Sequence, residues 1–261
     1  MRAPIAIIAA ALAATSPVAA SQSAVAAAGD AATLRIAVAS NFAGALRAIT
    51  ALAAAEGRYR VRIATGSSGK HFAQIINGAP FDAFFSADAK RPAALEQRGL
   101  GIADSRFTYA IGRLVAWQPG VDDPMTVARN VRDGNLTRLA IANPRHAPYG
   151  VAARQALHAL GSWRTLGPRL VLGENIAQTL QFVHSGNAPA GLVAHSQLIA
   201  LRHRATPADP QSTWPIPGAL HDPIEQQAIA LSDRHATRHV LALARSAAAR
   251  AIIRAHGYDA P

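Results

Sequence analysis

The run GSSGKHF at 66–72 has the composition of an anion cradle. Serines and glycines open a short helix there. The free N–H groups of a first helical turn, the positive end of the helix dipole and uncharged hydroxyl donors all point at whatever sits in front of them. Other chemistries at the same residues lack their partners. Ser67 and Lys70 form an S-x-x-K pair, yet the S-D-N and K-T-G elements of serine acyltransferases are missing. The run also imitates a phosphate loop, but position 64 is Ala where that loop needs Gly, and position 71 is His where it needs Ser or Thr.

The elements around this turn alternate. Strands are expected at 33–39, 59–66 and 83–86, and helices at 42–55, 70–76 and 91–98, the last closed by Gly99. This β-α-β-α-β order argues for a parallel sheet with helices on both faces. The pattern then breaks at a long extended stretch, FTYAIGRLVAWQPG (107–120). A second set follows, with helices near 125–130, 149–160 and 175–185 and strands at 137–142 and 190–194. A proline-rich segment (205–218), an extended run (226–232) and a long alanine-rich helix (234–256) complete the chain. The fold class is therefore α/β, with two lobes joined by two extended crossings. Lobe 1 takes 33–112 plus 217–261, and lobe 2 takes 113–216.

Residues 1–26 read as a secretory signal: one arginine, an apolar run, Pro17, then small residues at which cleavage after Ala20 or after Ala26 fits equally. No later segment supplies the roughly 18 apolar residues of a membrane span. The absence of cysteine excludes a disulfide framework and any thiolate metal site. Without Arg2 the formal charge drops from +11 to +10, which suits anionic partners. Nucleic acid is disfavoured, because the basic residues are scattered arginines and aromatics are only 5%. His235 and His239, one helical turn apart, lack the intervening Glu of a metal motif and read as a solvated face. Asp82 and Asp88 read as residues that order turns or cap a helix.

Ligands of open α/β sheets gather beyond the carboxyl ends of strands. Four such places carry polar groups: Ser40 with Asn41, Ser67 with Ser68, Tyr149 in the loop NPRHAPYG, and Asn175 with Ile176 following LVLGE. None is charged. Taken singly, each has an ordinary alternative, as a helix cap, a turn or an exposed aromatic. A dianion held by neutral dipoles avoids a buried ion pair, and a pocket made mostly of donors discriminates against a protonated oxyanion.

Six ordered blocks, ASNFAGAL, GSSGKHFAQIINGAPFDAFFSAD, FTYAIGRLVAW, ANPRHAPYG, GENIAQTLQFV and GLVAHSQ, resemble the periplasmic molybdate-binding proteins of molybdate ABC transporters over 34–231. The resemblance implies a type II periplasmic binding fold, each lobe a mixed, mainly parallel sheet. It implies a monomer that carries molybdate or tungstate to a permease with a cytoplasmic ATPase, without cofactor, catalysis or direct metal ligands. The ligand set it implies is Ser40, Asn41, Ser68, Tyr149 and the backbone N–H of Ile176, with Ser67, Asn175, Ala194 and His195 as further candidates. This chain departs from many relatives by placing Tyr149 in the APxG loop and Ala194 where a later strand carries tyrosine, which leaves the role of His195 open. The rival readings are a binding protein of the same fold for another oxyanion, such as sulfate, and an exported enzyme.

Overall fold

The computed structural model describes residues 33–54, 59–202 and 213–260. The expected signal segment and most of the proline-rich stretch lie outside them. Chain order begins β1 (Thr33–Ala39), α1 (Ala43–Ala54), β2 (Arg60–Gly66), α2 (Ser68–Ile76), β3 (Ala83–Ser86), α3 (Lys90–Gln97) and β4 (Phe107–Gly112). It continues with β5 (Leu114–Trp117), α4 (Pro124–Arg132), β6 (Leu139–Ala142), α5 (Pro148–Ala159), α6 (Trp163–Leu166), β7 (Leu170–Gly173), α7 (Ile176–His184), β8 (Gly191–Ala194) and α8 (His195–Arg202). Last come β9 (Thr213–Pro215), β10 (Ile224–Ala230), α9 (His235–Ala244) and α10 (Ala247–Ala255).

The strands form two five-stranded sheets, ordered β2-β1-β3-β10-β4 and β7-β6-β8-β5-β9. In the first, β1 pairs parallel with both β2 and β3, while β10 runs antiparallel to β3 and β4. In the second, β6 pairs parallel with β7 and β8, and β5 runs antiparallel to β8 and β9. Each sheet is thus mainly parallel with one reversed strand, the one that enters from the opposite lobe. Each also contains a switch point, because the chain leaves β1 for β2 on one side and returns to β3 on the other, and does the same around β6 with β7 and β8. Crevices for ligands open at the carboxyl ends of such strands.

The stretch 107–120 is two strands rather than one crossing. Arg113 alone separates β4 in the first sheet from β5 in the second, and the return crossing runs from Ile216 to Pro223. The terminal helix is also two helices. Ser246 adopts an extended backbone, and its hydroxyl accepts the Ala249 N–H at 3.1 Å. That cap starts α10 afresh, since serine satisfies a helix N-terminus better than a helix interior. Helix α2 begins two residues before the expected Lys70, and β7 and α8 are elements that hydrophobic spacing does not announce. Phe42, Phe85, Tyr109 and Tyr258 pack ring against ring in the core under β1 and α1.

Candidate functional site

The loops leaving β1, β2, β6 and β7 meet. Seven of the nine candidate residues, Ser40, Asn41, Ser67, Ser68, Tyr149, Asn175 and Ile176, line one small cavity. Ala39, Gly66, Ala87, Ala147 and Pro148 complete the wall, and none of these residues carries a charge. A wider cleft adjoins it at Ala87 and Pro148, with Lys90, Arg145 and Arg154 beside Asp222 and Glu225. Its exposed, mixed charges make it a mouth rather than a pocket for a dehydrated ion.

Three helix starts converge here, and their N–H groups can be accounted for one by one. In α2 the Lys70 N–H goes to Ser67 Oγ at 3.3 Å, the His71 N–H to the Ser67 carbonyl at 3.1 Å, and the Gly69 N–H across to the His146 carbonyl at 2.8 Å. In α5 Pro148 has no N–H, while Gly150 and Val151 donate to the Ala147 carbonyl. In α7 the Ala177 and Gln178 N–H groups are taken by Asn175 Oδ1, and that of Thr179 by the Asn175 carbonyl. Among the described residues of these three helix starts, the first-turn N–H groups left over are those of Ser68, Tyr149 and Ile176. All three residues line the cavity.

The hydroxyls are arranged to the same end. Ser68 Oγ accepts from the Ala87 N–H at 2.9 Å, so its own proton remains to be donated. Tyr149 is buried, and its oxygen accepts from Gln226 Nε2 at 3.3 Å, which leaves the phenol proton free as well. Ser40 spans the lobes: its hydroxyl donates to Asn175 Oδ1 at 3.2 Å and accepts from the Ala177 N–H at 3.3 Å. Asn41 behaves differently from its neighbours. Its Nδ2 donates inward, to Gln226 Oε1 at 2.8 Å and to the Tyr258 hydroxyl at 3.1 Å, while Oδ1 is buried without a partner. Tyr258 and Ser196 donate to the Asn41 carbonyl at 2.7 and 3.3 Å.

Over residues 34–259 the chain matches the family of bacterial extracellular solute-binding proteins. It is 39% identical to the molybdate-binding protein ModA of Rhodobacter capsulatus, across 85% of this chain and 86% of that one. It is likewise 39% identical to ModA of Azotobacter vinelandii, across 88% and 91%. The chain belongs to the ModA family of bacterial extracellular solute-binding proteins. The solved structure of the Azotobacter vinelandii periplasmic molybdate-binding protein superposes with a TM-score of 0.80 at 37% identity, covering 87% of this chain and 99% of that one.

Two candidates of this ModA-family chain lie elsewhere. Ala194 is fully buried at the end of β8, opposite Leu114. His195 starts α8, with Nδ1 facing the Gly257 carbonyl at 3.4 Å and burial holding its pKa below the ordinary value. Lys70 is exposed and meets Glu174 of the opposite lobe at 3.8 Å, a contact of small worth between solvated groups. Among the described residues no three His, Asp or Glu side chains gather as a metal site. Asp82 is spent on the Arg35 N–H, Ser232 and Arg234. The residues the sequence left unmarked are Gln226 and Tyr258, both buried behind the cavity.

Burial also decides the protonation of the phenols. It pushes Tyr109, Tyr149 and Tyr258 above the usual tyrosine value. Tyr149 therefore stays a donor throughout the neutral range. Each phenol keeps its proton to higher pH in the fold than in the unfolded chain, so this stabilisation is complete below about pH 10 and drains away as pH rises past it. Three such groups give a slope of up to about 4 kcal/mol per pH unit. Urea midpoints should hold level from about pH 8 to 9.5 and fall steeply above about 10. A level profile to about pH 11 would show that these phenols ionise without opening the fold.

Proposed function

We propose that this chain captures molybdate, and tungstate with it, in the periplasm and delivers the dianion to an ABC permease driven by a cytoplasmic ATPase. The observation that carries the proposal is a cavity walled by neutral donors, set at three helix starts from two lobes. The names of its relatives, 39% identical over most of both chains, support molybdate as the ion. Neutral dipoles stabilise a dehydrated dianion without the desolvation cost of a buried counter-ion. In this proposal the anion lands first on Ser40, the Asn41 loop and Ser68. Hinge closure at Arg113 and the return crossing then brings Tyr149 and the Ile176 N–H over it. The reading is capture by a monomer, with no cofactor and no bond made or broken.

Calorimetry with molybdate, tungstate, sulfate and phosphate tests it. Molybdate and tungstate should bind with similar affinity. Sulfate, with the same charge and shape but a smaller radius, should bind at least about a hundredfold more weakly, a difference of about 2.7 kcal/mol. Tight sulfate binding without molybdate binding would move the chain to another oxyanion, and turnover of any phosphate or acyl ester would remove it from the binding proteins.

A further inference from the structure

Gln226 sits in β10, the strand that returns from the second lobe, at an irregularity where the β4 pairing shifts between Gln226 and Gln227. Its side chain is fully buried. It touches both lobes. Oε1 accepts from Asn41 Nδ2 at 2.8 Å and faces the Tyr109 hydroxyl at 3.1 Å, and Nε2 donates to the Tyr149 hydroxyl at 3.3 Å. The backbone leaves room for this pair only because position 112 is glycine: a Cβ there would lie 2.3 Å from the Tyr149 oxygen and 2.6 Å from Gln226 Nε2.

The direction of each bond follows from the one before it. Tyr258 spends its proton on the Asn41 carbonyl at 2.7 Å, so its oxygen can only accept, and Asn41 must turn Nδ2 towards it. The same Nδ2 faces Gln226, which must answer with Oε1. That leaves Nε2 for Tyr149, whose oxygen accepts and whose proton is left for the cavity. An amide facing the other way would set two N–H donors against each other between Asn41 and Gln226.

We propose that Gln226 sharpens the cavity's selection of a fully deprotonated oxyanion by fixing the Tyr149 hydroxyl as a donor. The proposal rests on the capture of a tetrahedral dianion argued above. With Nε2 in place, the in-plane lone pair of the Tyr149 oxygen is taken, and only the weakly basic pair conjugated with the ring is left to face the proton of a hydrogen phosphate. Without Nε2, the phenol rotates and accepts that proton. Gln226 touches no ligand itself and acts through Tyr149 as a positioning residue.

The test is a double-variant cycle in the full mature chain, reading the affinity for molybdate and for phosphate at about pH 8, where phosphate is a dianion that still carries one proton. Gln226→Met, similar in length and shape, should weaken molybdate about tenfold and Tyr149→Phe about thirtyfold. The double variant should lie within about threefold of Tyr149→Phe, because the two residues act as one. Gln226→Met should also lower the preference for molybdate over phosphate by about tenfold, which a loss of packing alone would not do. Gln226→Glu guards against misfolding of the methionine variant. Its carboxylate keeps an acceptor for Asn41, takes the Tyr149 proton and repels both dianions alike, so the same ratio should fall further. Multiplying losses in the double variant, or an unchanged ratio in both Gln226 variants, would overturn the proposal while wild-type molybdate binding leaves the capture reading standing. A wild type that binds no tetrahedral oxyanion would remove both.

Discussion

Replacing Gly150 by alanine should lower the melting temperature by about 9 °C and weaken oxyanion binding about a hundredfold. Gly150 lies in the first turn of α5, buried against the end of β6. A Cβ built there falls 2.1 Å from the Ala142 oxygen, 2.7 Å from its carbonyl carbon and 2.9 Å from the carbonyl carbon of Asn143. All three are backbone atoms. No side-chain rotation relieves the clash, so α5 must lift from the sheet along a face that packs through Ala152, Ala153 and Ala156. Overpacking of this kind costs about 3 kcal/mol. Tyr149 is the preceding residue, so both its N–H and its hydroxyl shift with the helix, and two bonds to a charged ligand account for the affinity loss. Gly44→Ala is the matched control. Its Cβ would meet only the His256 ring at 3.8 Å, from an exposed position of α1, and stability should hold or rise slightly. Equal melting temperatures for the two variants, by calorimetry, would show that α5 accommodates the methyl group.

The positions of the cavity residues were legible because they follow a local rule: polar groups at strand exits, just before helices. Ser40, Ser68 and Asn175 each sit one or two residues past a strand end, Tyr149 seven past one in the first turn of α5, and hydrophobic spacing locates most of these boundaries. What lies behind them obeys no local rule. Gln226 is 185 residues from Asn41, and Tyr258 is 217 residues from it. Only the antiparallel insertion of β10 between β3 and β4 brings the glutamine under the cavity, and strand order in a sheet leaves no periodic trace. One signal was present. The extended run 226–232 opens on two glutamines ahead of AIAL, and a glutamine that enters a strand destined for the core needs partners, as the burial of Gln226 to Ala230 bears out. Asn41 shows the complementary limit. Its place at a strand exit marks it as near the ligand, but the direction of its amide is set by Tyr258 at the other end of the chain.

Gly69→Ala should do the opposite of Gly150→Ala: leave the fold as stable as the wild type or slightly more so, and weaken binding about a hundredfold. Gly69 sits at the second position of α2, where alanine is the better helix former by about 1 kcal/mol. Its added Cβ would lie 2.8 Å from the His146 oxygen and 2.9 Å from the His146 Cα, and its N–H donates to that same oxygen. The contact joins two lobes, not two parts of one core. Opening the hinge therefore relieves the clash, whereas the Gly150 clash lies within one lobe and can only be relieved by distorting it. Raising the closed state by about 2.7 kcal/mol relative to the open one gives the hundredfold loss, expressed chiefly as faster release. Small-angle scattering should show the ligand-driven compaction of the wild type shifted to correspondingly higher ligand concentration. His146→Ala should bind within about threefold of wild type, because the hydrogen bond from the Gly69 N–H uses the His146 carbonyl and survives loss of its side chain. Wild-type affinity in Gly69→Ala would mean that the lobes hold the anion without meeting at this point, and a weakened His146→Ala would shift the closure contact from backbone to imidazole.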